Sequence, residues 1–295
     1  MLNSVVSVIN TTLMYSAPLV FGAMGGVVSE NSGVVNVGIE GMMTFGAFVG
    51  AAVGFFCQNP CLGLLFGGAA GAVLSLLHAV AAITFKADQT ISGMALNFIG
   101  PGLSLFLCRL LFDDKTMTDW FPEKLPQVFG TIDITVVIAL LSTTLVWFVL
   151  YKTRWGLRIR AVGEHPVAAD TLGINVAQVR YASVIISGFL SGIGGATMTL
   201  AVVSQFTPTA ISGQGFIALA AVIFGKWKPF WVYAACLLFA FAQVLAVTFG
   251  GGRIALPSEI LNMLPYILTI VVLIFFVGRS VAPSANGKPY EKGVR

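Results

Sequence analysis

Eight stretches of this chain, at roughly 10–28, 36–56, 62–85, 91–112, 132–151, 181–203, 229–249 and 260–278, are each apolar over about the 20 residues a helix needs to cross hydrocarbon. A ninth apolar piece at 214–225 is too short for an ordinary span, so it is tilted, half-crossing or packed within the bundle. This spacing leaves little chain for anything else. It predicts an all-α integral membrane protein, a polytopic helical bundle of eight or nine transmembrane helices with half-crossing segments. Composition points the same way: 57% of residues are apolar and only 9% charged, where a water-soluble domain carries about a quarter charged residues. Such a chain could not cover its own surface in water, whereas lipid makes no such demand. The 33 glycines suit helices that pack closely in a membrane.

Alternating the spans places 86–90, 152–180, 226–228 and 279–295 on one side, and these segments hold twelve of the sixteen Lys and Arg residues. Basic loops face the cytoplasm, so the C-terminus is expected inside and, with nine crossings, the N-terminus outside. The acidic segment 113–131 is then external. A net charge of +4 is accounted for by these loops and calls for no nucleic-acid partner. The first residues lack the basic start of a cleaved signal peptide and are read as part of the mature chain. Residues 1–280 form a single transmembrane domain, with 152–180 as its longest cytoplasmic loop, and 281–295 read as a flexible cytoplasmic tail.

Three stretches interrupt the apolar pattern. Glu30 to Met43 (ENSGVVNVGIEGMM) joins the first two spans and carries Asn36 and Glu40. An ionisable side chain at membrane depth marks function by default; near the headgroups Glu40 would instead cap a helix N-terminus. Lys86 to Asn97 (KADQTISGMALN) offers Asp88 or Thr90 as a cap. Its amides Gln89 and Asn97 are able to bond a polar solute, while Ser92 and Gly93 suit a close packing seam. In the loop 152–180, Pro166 suits a first helical position and Gly173 the residue just past a helix end. Between them VAADTL makes about two turns, a short knob of mostly small side chains behind a basic segment. It is shaped either to enter a groove on a partner or to rest on anionic lipid.

Other features carry less. His78 in its apolar helix reads as a buried structural histidine, and Phe98, Phe206 and Phe216 are three phenylalanines among 23. Cys57 and Cys61 flank a turn and could pair in an oxidising compartment; Cys108 and Cys236 read as small buried hydrophobes. There is no Cys/His cluster that would hold a metal, no GxxxxGK[ST] phosphate loop and no hydrolase or metalloprotease pattern. No catalytic residue is assigned.

Three motifs in order, SGVVNVGIEGMM, ADQTISGMALN and GLRIRAVGEHPVAADTLGI, resemble the permease subunits of bacterial ABC importers for simple sugars, nucleosides and branched-chain amino acids. The resemblance runs from about residue 15 to 278, and VVNVGIEGMM is similar to the nucleoside-type branch. It implies a half-translocation pathway without its own ATPase. ATP and Mg would be bound by a partner ATPase that docks on 152–180, where Glu164, His165, Pro166, Val167, Ala168, Ala169 and Gly173 match the family's coupling segment. It also implies a second permease subunit, expected to be a longer paralogue in a heterodimer. An extracytoplasmic binding protein or lipoprotein would deliver the solute, and the chain would sit in the bacterial inner membrane. Half-crossing segments are expected at 29–40 and 204–225. Asn36, Glu40, Gln89 and Asn97 are the pathway candidates. A nucleoside is the expected solute, with riboflavin and simple sugars as alternatives. An ATP-independent secondary transporter or channel is the rival class, for which Glu40 is nearly the only coupling group.

Overall fold

The structure is a computed structural model that describes residues 2–120, 125–128, 132–250, 263, 267, 270 and 281–291. Its helices, in chain order, are α1 (Leu2–Asn31), α2 (Ile39–Cys57), α3 (Pro60–Ala79), α4 (Gln89–Leu111), α5 (Ile134–Lys152), α6 (Arg154–Glu164), α7 (Pro166–Thr171), α8 (Val176–Thr197), α9 (Gln214–Phe224) and α10 (Pro229–Gly250). π-Helical turns at Val80–Thr84 and Met198–Val203 prolong α3 and α8. Among the described residues, seven helices are long and apolar enough to cross a membrane, and α9 is a shorter apolar helix. The span expected at 260–278 lies outside the described residues.

The helix starts follow from capping. Asn59 accepts from the backbone N–H groups of Cys61 and Leu62 with Pro60 in the first turn, Asp88 accepts from Ile91, Asp133 from Thr135, Thr153 from Gly156 and Asn175 from Gln178. Each side chain satisfies a donor that the first helical turn leaves free. A two-stranded antiparallel pairing of Gln127–Val128 with Ile132–Asp133 leads into α5.

At the centre, α8 packs against α1, α2 and α3. Gly46 and Gly50 of α2 lie against Gly192 and Ala196 of α8, and Gly54 against Leu200 of its π-helical extension, so these two helices run parallel; Gly25 and Pro18 of α1 lie against Ser187 and Gly194, so α1 runs the opposite way. The approach is close enough that a Cβ on Gly195 would overlap the Met43 carbonyl oxygen and one on Gly192 the Gly67 carbonyl oxygen. Small residues supply this contact where no water-driven effect favours helix association.

Two connections depart from simple up-and-down packing. After α1 the chain turns at Gly33, φ +86°, and 34–38 climb back beside α1, so that α2 begins with Ile39 against Gly22 and Gly26. That level is roughly 7–13 Å short of the end of α1 at 1.5 Å per residue. After α8, residues 204–213 turn inward, and Gly215 in the first turn of α9 lies against Glu40. The two half-crossing segments expected at 29–40 and 204–225 therefore meet inside the bundle.

The tail departs from its sequence-based reading. Residues 281–291 are not a free segment. Ala285 N–H donates to Gly163 O at 2.9 Å, Ser284 Oγ to Glu164 Oε2 at 2.8 Å, Arg180 Nη1 to Lys288 O at 3.0 Å, and Lys86 pairs with Glu291 at 2.8 Å. Polar composition suggested mobility; bonds to groups far away in sequence remove it. Cys57 and Cys61 are exposed and unpaired, while Cys108 and Cys236 are buried.

Candidate functional site

The first site is the junction of the two broken segments. Glu40 stands in the first turn of α2, and both of its carboxyl oxygens are engaged: Gly213 N–H donates to Oε1 at 2.6 Å and Gly215 N–H to Oε2 at 2.7 Å. Glu40 thus caps α9 from another helix, meeting donors that a helix start leaves free where Gly213 has no side chain to do so locally.

Of the other three pathway candidates, Asn97 and Gln89 bond the backbone of 35–41, while Asn36 lies within that segment and ties it to α8. Asn97 Oδ1 accepts from Gly41 N–H at 2.9 Å and its Nδ2 donates to Val37 O at 3.0 Å. Gln89 Oε1 accepts from Val35 N–H at 2.8 Å. Asn36 is fully buried and donates to Ser187 Oγ at 2.9 Å. His78 bridges Val35 O and Ser92 Oγ, each at 3.0 Å, as a buried histidine with partners on both ring nitrogens. The structure therefore gathers Asn36, Gln89 and Asn97 around 35–41, while Glu40 ties that segment to α9. The Asn36 Oδ1 and Gln89 Nε2 atoms are buried without a hydrogen-bond partner.

The second site is the knob. Pro166 opens α7 and Gly173, φ +80°, follows its end, a left-handed conformation that favours glycine. Val167, Ala168 and Leu172 are exposed, Leu172 at 81%. Ala169 of the expected coupling set turns inward, 2% exposed, into the core cluster that includes Ile159, Val162 and Val176. Glu164 holds the tail through Ser284. Tyr290 bonds Asp170, and a groove of about 420 Å³ runs between His165–Val167 and Ser284–Glu291. Behind the knob, α6 exposes Trp155 and Leu157 beside Arg154 and Arg158, an amphipathic face suited to a membrane boundary.

Sequence reasoning passed over three buried polar groups. Glu30 accepts from Trp227 Nε1 at 2.5 Å and Asn286 Nδ2 at 3.3 Å. Arg180, only 1% exposed, holds the tail. Gln214 opens α9 and lines a cavity with Tyr15 and Gln243. The available signal was the same for each: a strongly polar residue inside or at the end of an apolar run.

The sequence is similar to known proteins over most of its length. Residues 8–273 match the family described as branched-chain amino acid transport system / permease component. The guanosine ABC transporter permease protein NupQ of Bacillus subtilis (strain 168) is 47% identical over 98% of this chain and 97% of its own length. The nucleoside ABC transporter permease protein NupC of Lactococcus lactis subsp. cremoris (strain MG1363) is 42% identical over 98% of each. NupP, a second guanosine ABC transporter permease protein of Bacillus subtilis (strain 168), is 25% identical over 97% of this chain and 85% of its own length. A solved inward-facing ABC transporter of metal-chelate type superposes with a TM-score of 0.54 at 18% identity, covering 90% of this chain and 85% of that one, a likeness of fold. A match over most of the chain, joined to the broken helices and the knob, identifies a transport subunit rather than an enzyme: the chain belongs to the branched-chain amino acid transport system permease family, the membrane component of ABC transporters.

Proposed function

We propose that this chain is one permease subunit of an ATP-driven nucleoside importer. The observation that carries this reading is end-to-end similarity, at 47% and 42% identity, to permeases named for guanosine and nucleosides. The knob end, with its basic loops, faces the cytoplasm, and the tail 281–291 lies there with it. A separate ATPase subunit binds ATP and Mg and docks on Val167, Ala168 and Leu172, with His165, Pro166 and Gly173 shaping the surface. Glu164 and Ala169 fix the knob from behind. A second permease completes the pathway. NupP, longer than this chain and found in the same organism as NupQ, supports a longer, divergent sister. An extracytoplasmic binding protein supplies the solute. Asn36, Glu40, Gln89 and Asn97 frame the pathway by fixing the backbone of its broken segments.

The solute is tested in liposomes holding the complete transporter, by ATP-driven uptake of guanosine, uridine, riboflavin and ribose. Guanosine or uridine is expected to accumulate. Uptake of riboflavin or ribose with neither nucleoside would assign the chain to a different substrate.

A further inference from the structure

A cavity of about 480 Å³ opens beside the inward turn 204–213, bounded by α1, the π-helical end of α8, the start of α9 and α10. Its volume falls in the range of small-molecule sites. Gln214, Gln243, Tyr15, Thr209 and Ser212 supply polar groups among apolar neighbours such as Ile217. No Asp, Glu, Lys or Arg occurs in the described lining.

Gln214 sets this cavity apart. The residue is 8% exposed, and its Oε1 is buried without a hydrogen-bond partner. Its Nε2 reaches only the Met198 sulfur at 3.7 Å, a weak acceptor. A buried amide left with an open carbonyl is an acceptor awaiting a donor. The surroundings explain why it is tolerated. Non-helical backbone at membrane depth persists where it is buried in protein or lines a polar cavity, transporter sites form at such broken helices, and single π-helical turns recur at functional sites.

Building on the nucleoside reading above, we propose that this cavity is a solute-contact site in which Gln214 and Gln243 read the donor and acceptor edge of an uncharged nucleobase. An amide offers a donor and an acceptor side by side, the pattern that nucleobase edges match. The phenol ring of Tyr15 offers a face for stacking. With no cation in the described lining to offset a phosphate, the site favours a nucleoside over a nucleotide.

The test uses liposomes with the full transporter: both permeases, ATPase and binding protein. Guanosine and uridine uptake are measured for the native chain and for Gln214→Leu, Gln214→Asn and Gln243→Leu, with assembly scored by co-purification of the ATPase. Losing one solute hydrogen bond is expected to lower guanosine uptake up to about tenfold in Gln214→Leu. The guanosine-to-uridine ratio should shift in all three variants. A ratio and rate matching the native chain in the variants that assemble would overturn the site. If Gln214→Leu does not assemble, an unchanged ratio in Gln243→Leu overturns it equally. A native transporter that moves neither nucleoside would instead remove the functional reading on which the site rests.

Discussion

Replacing Glu40 by leucine is expected to destabilise the folded chain by about 1–3 kcal/mol, since two part-buried backbone donors would lose their acceptors. Those donors are Gly213 and Gly215, held at 2.6 and 2.7 Å. No local residue replaces the carboxylate: the position before α9 is Gly213 itself, φ +88°, with no side chain to cap the helix. The loss should also disconnect α2 from α9, because Glu40 is the hydrogen-bonding group that joins the two broken segments. Glu40→Gln keeps one carbonyl acceptor but places an amide donor against an N–H, so it should fall between native and leucine. Unfolding of the purified chain in detergent, followed by temperature and by chemical denaturant, checks the order native, glutamine, leucine. Leucine as stable as native would mean that the junction does not depend on this carboxylate.

The second large effect is expected at the knob. Ala168 is exposed on a face with Val167 and Leu172, and Leu172 is 81% exposed among the described residues. Apolar side chains held at the tip of a loop by Pro166 and Gly173, and strapped from behind by Ser284 and Ala285, give the proposed docking surface a preorganised shape. Ala168→Arg adds a long cation at its centre. The loss expected for a central interface position is about 2–4 kcal/mol, or roughly 30- to 1,000-fold in affinity for the ATPase. Because Ala168 points outward, the variant should insert and fold as the native chain does. Ala169→Arg should behave differently and unfold the loop, since that side chain faces the core. Titration of the ATPase against each permease in nanodiscs, with thermal unfolding beside it, separates the two. Native affinity in Ala168→Arg would exclude this surface from docking.

Much of this was legible in sequence because it is local. Helical spans follow from runs of apolar residues, and the knob from Pro166 and Gly173 at its two ends. The piece at 214–225 was by length too short for an ordinary span, and α9 occupies Gln214–Phe224. What escaped is long-range pairing. Glu40 finds its partners 173 and 175 residues away, and Asn97 and Gln89 theirs at 54 to 60. Nothing in the local pattern distinguishes an amide that clamps backbone from one that faces solute. The tail misled for a related reason. Its polar, glycine-containing sequence matches a solvated terminus, and only the fold brings Arg180, Glu164 and Lys86 to it. Gln214 was overlooked because its neighbours read as a packing helix; the unpartnered carbonyl appears only once the helix is in place.

Transport through this chain is expected only when a partner subunit hydrolyses ATP. The direct measurement loads liposomes with the permease pair and binding protein, adds guanosine outside, and follows accumulation with and without the ATPase subunit and Mg-ATP. Accumulation only when both are present is the predicted result. Accumulation, or even free equilibration of guanosine, without the ATPase would show a carrier or channel acting alone and contradict it.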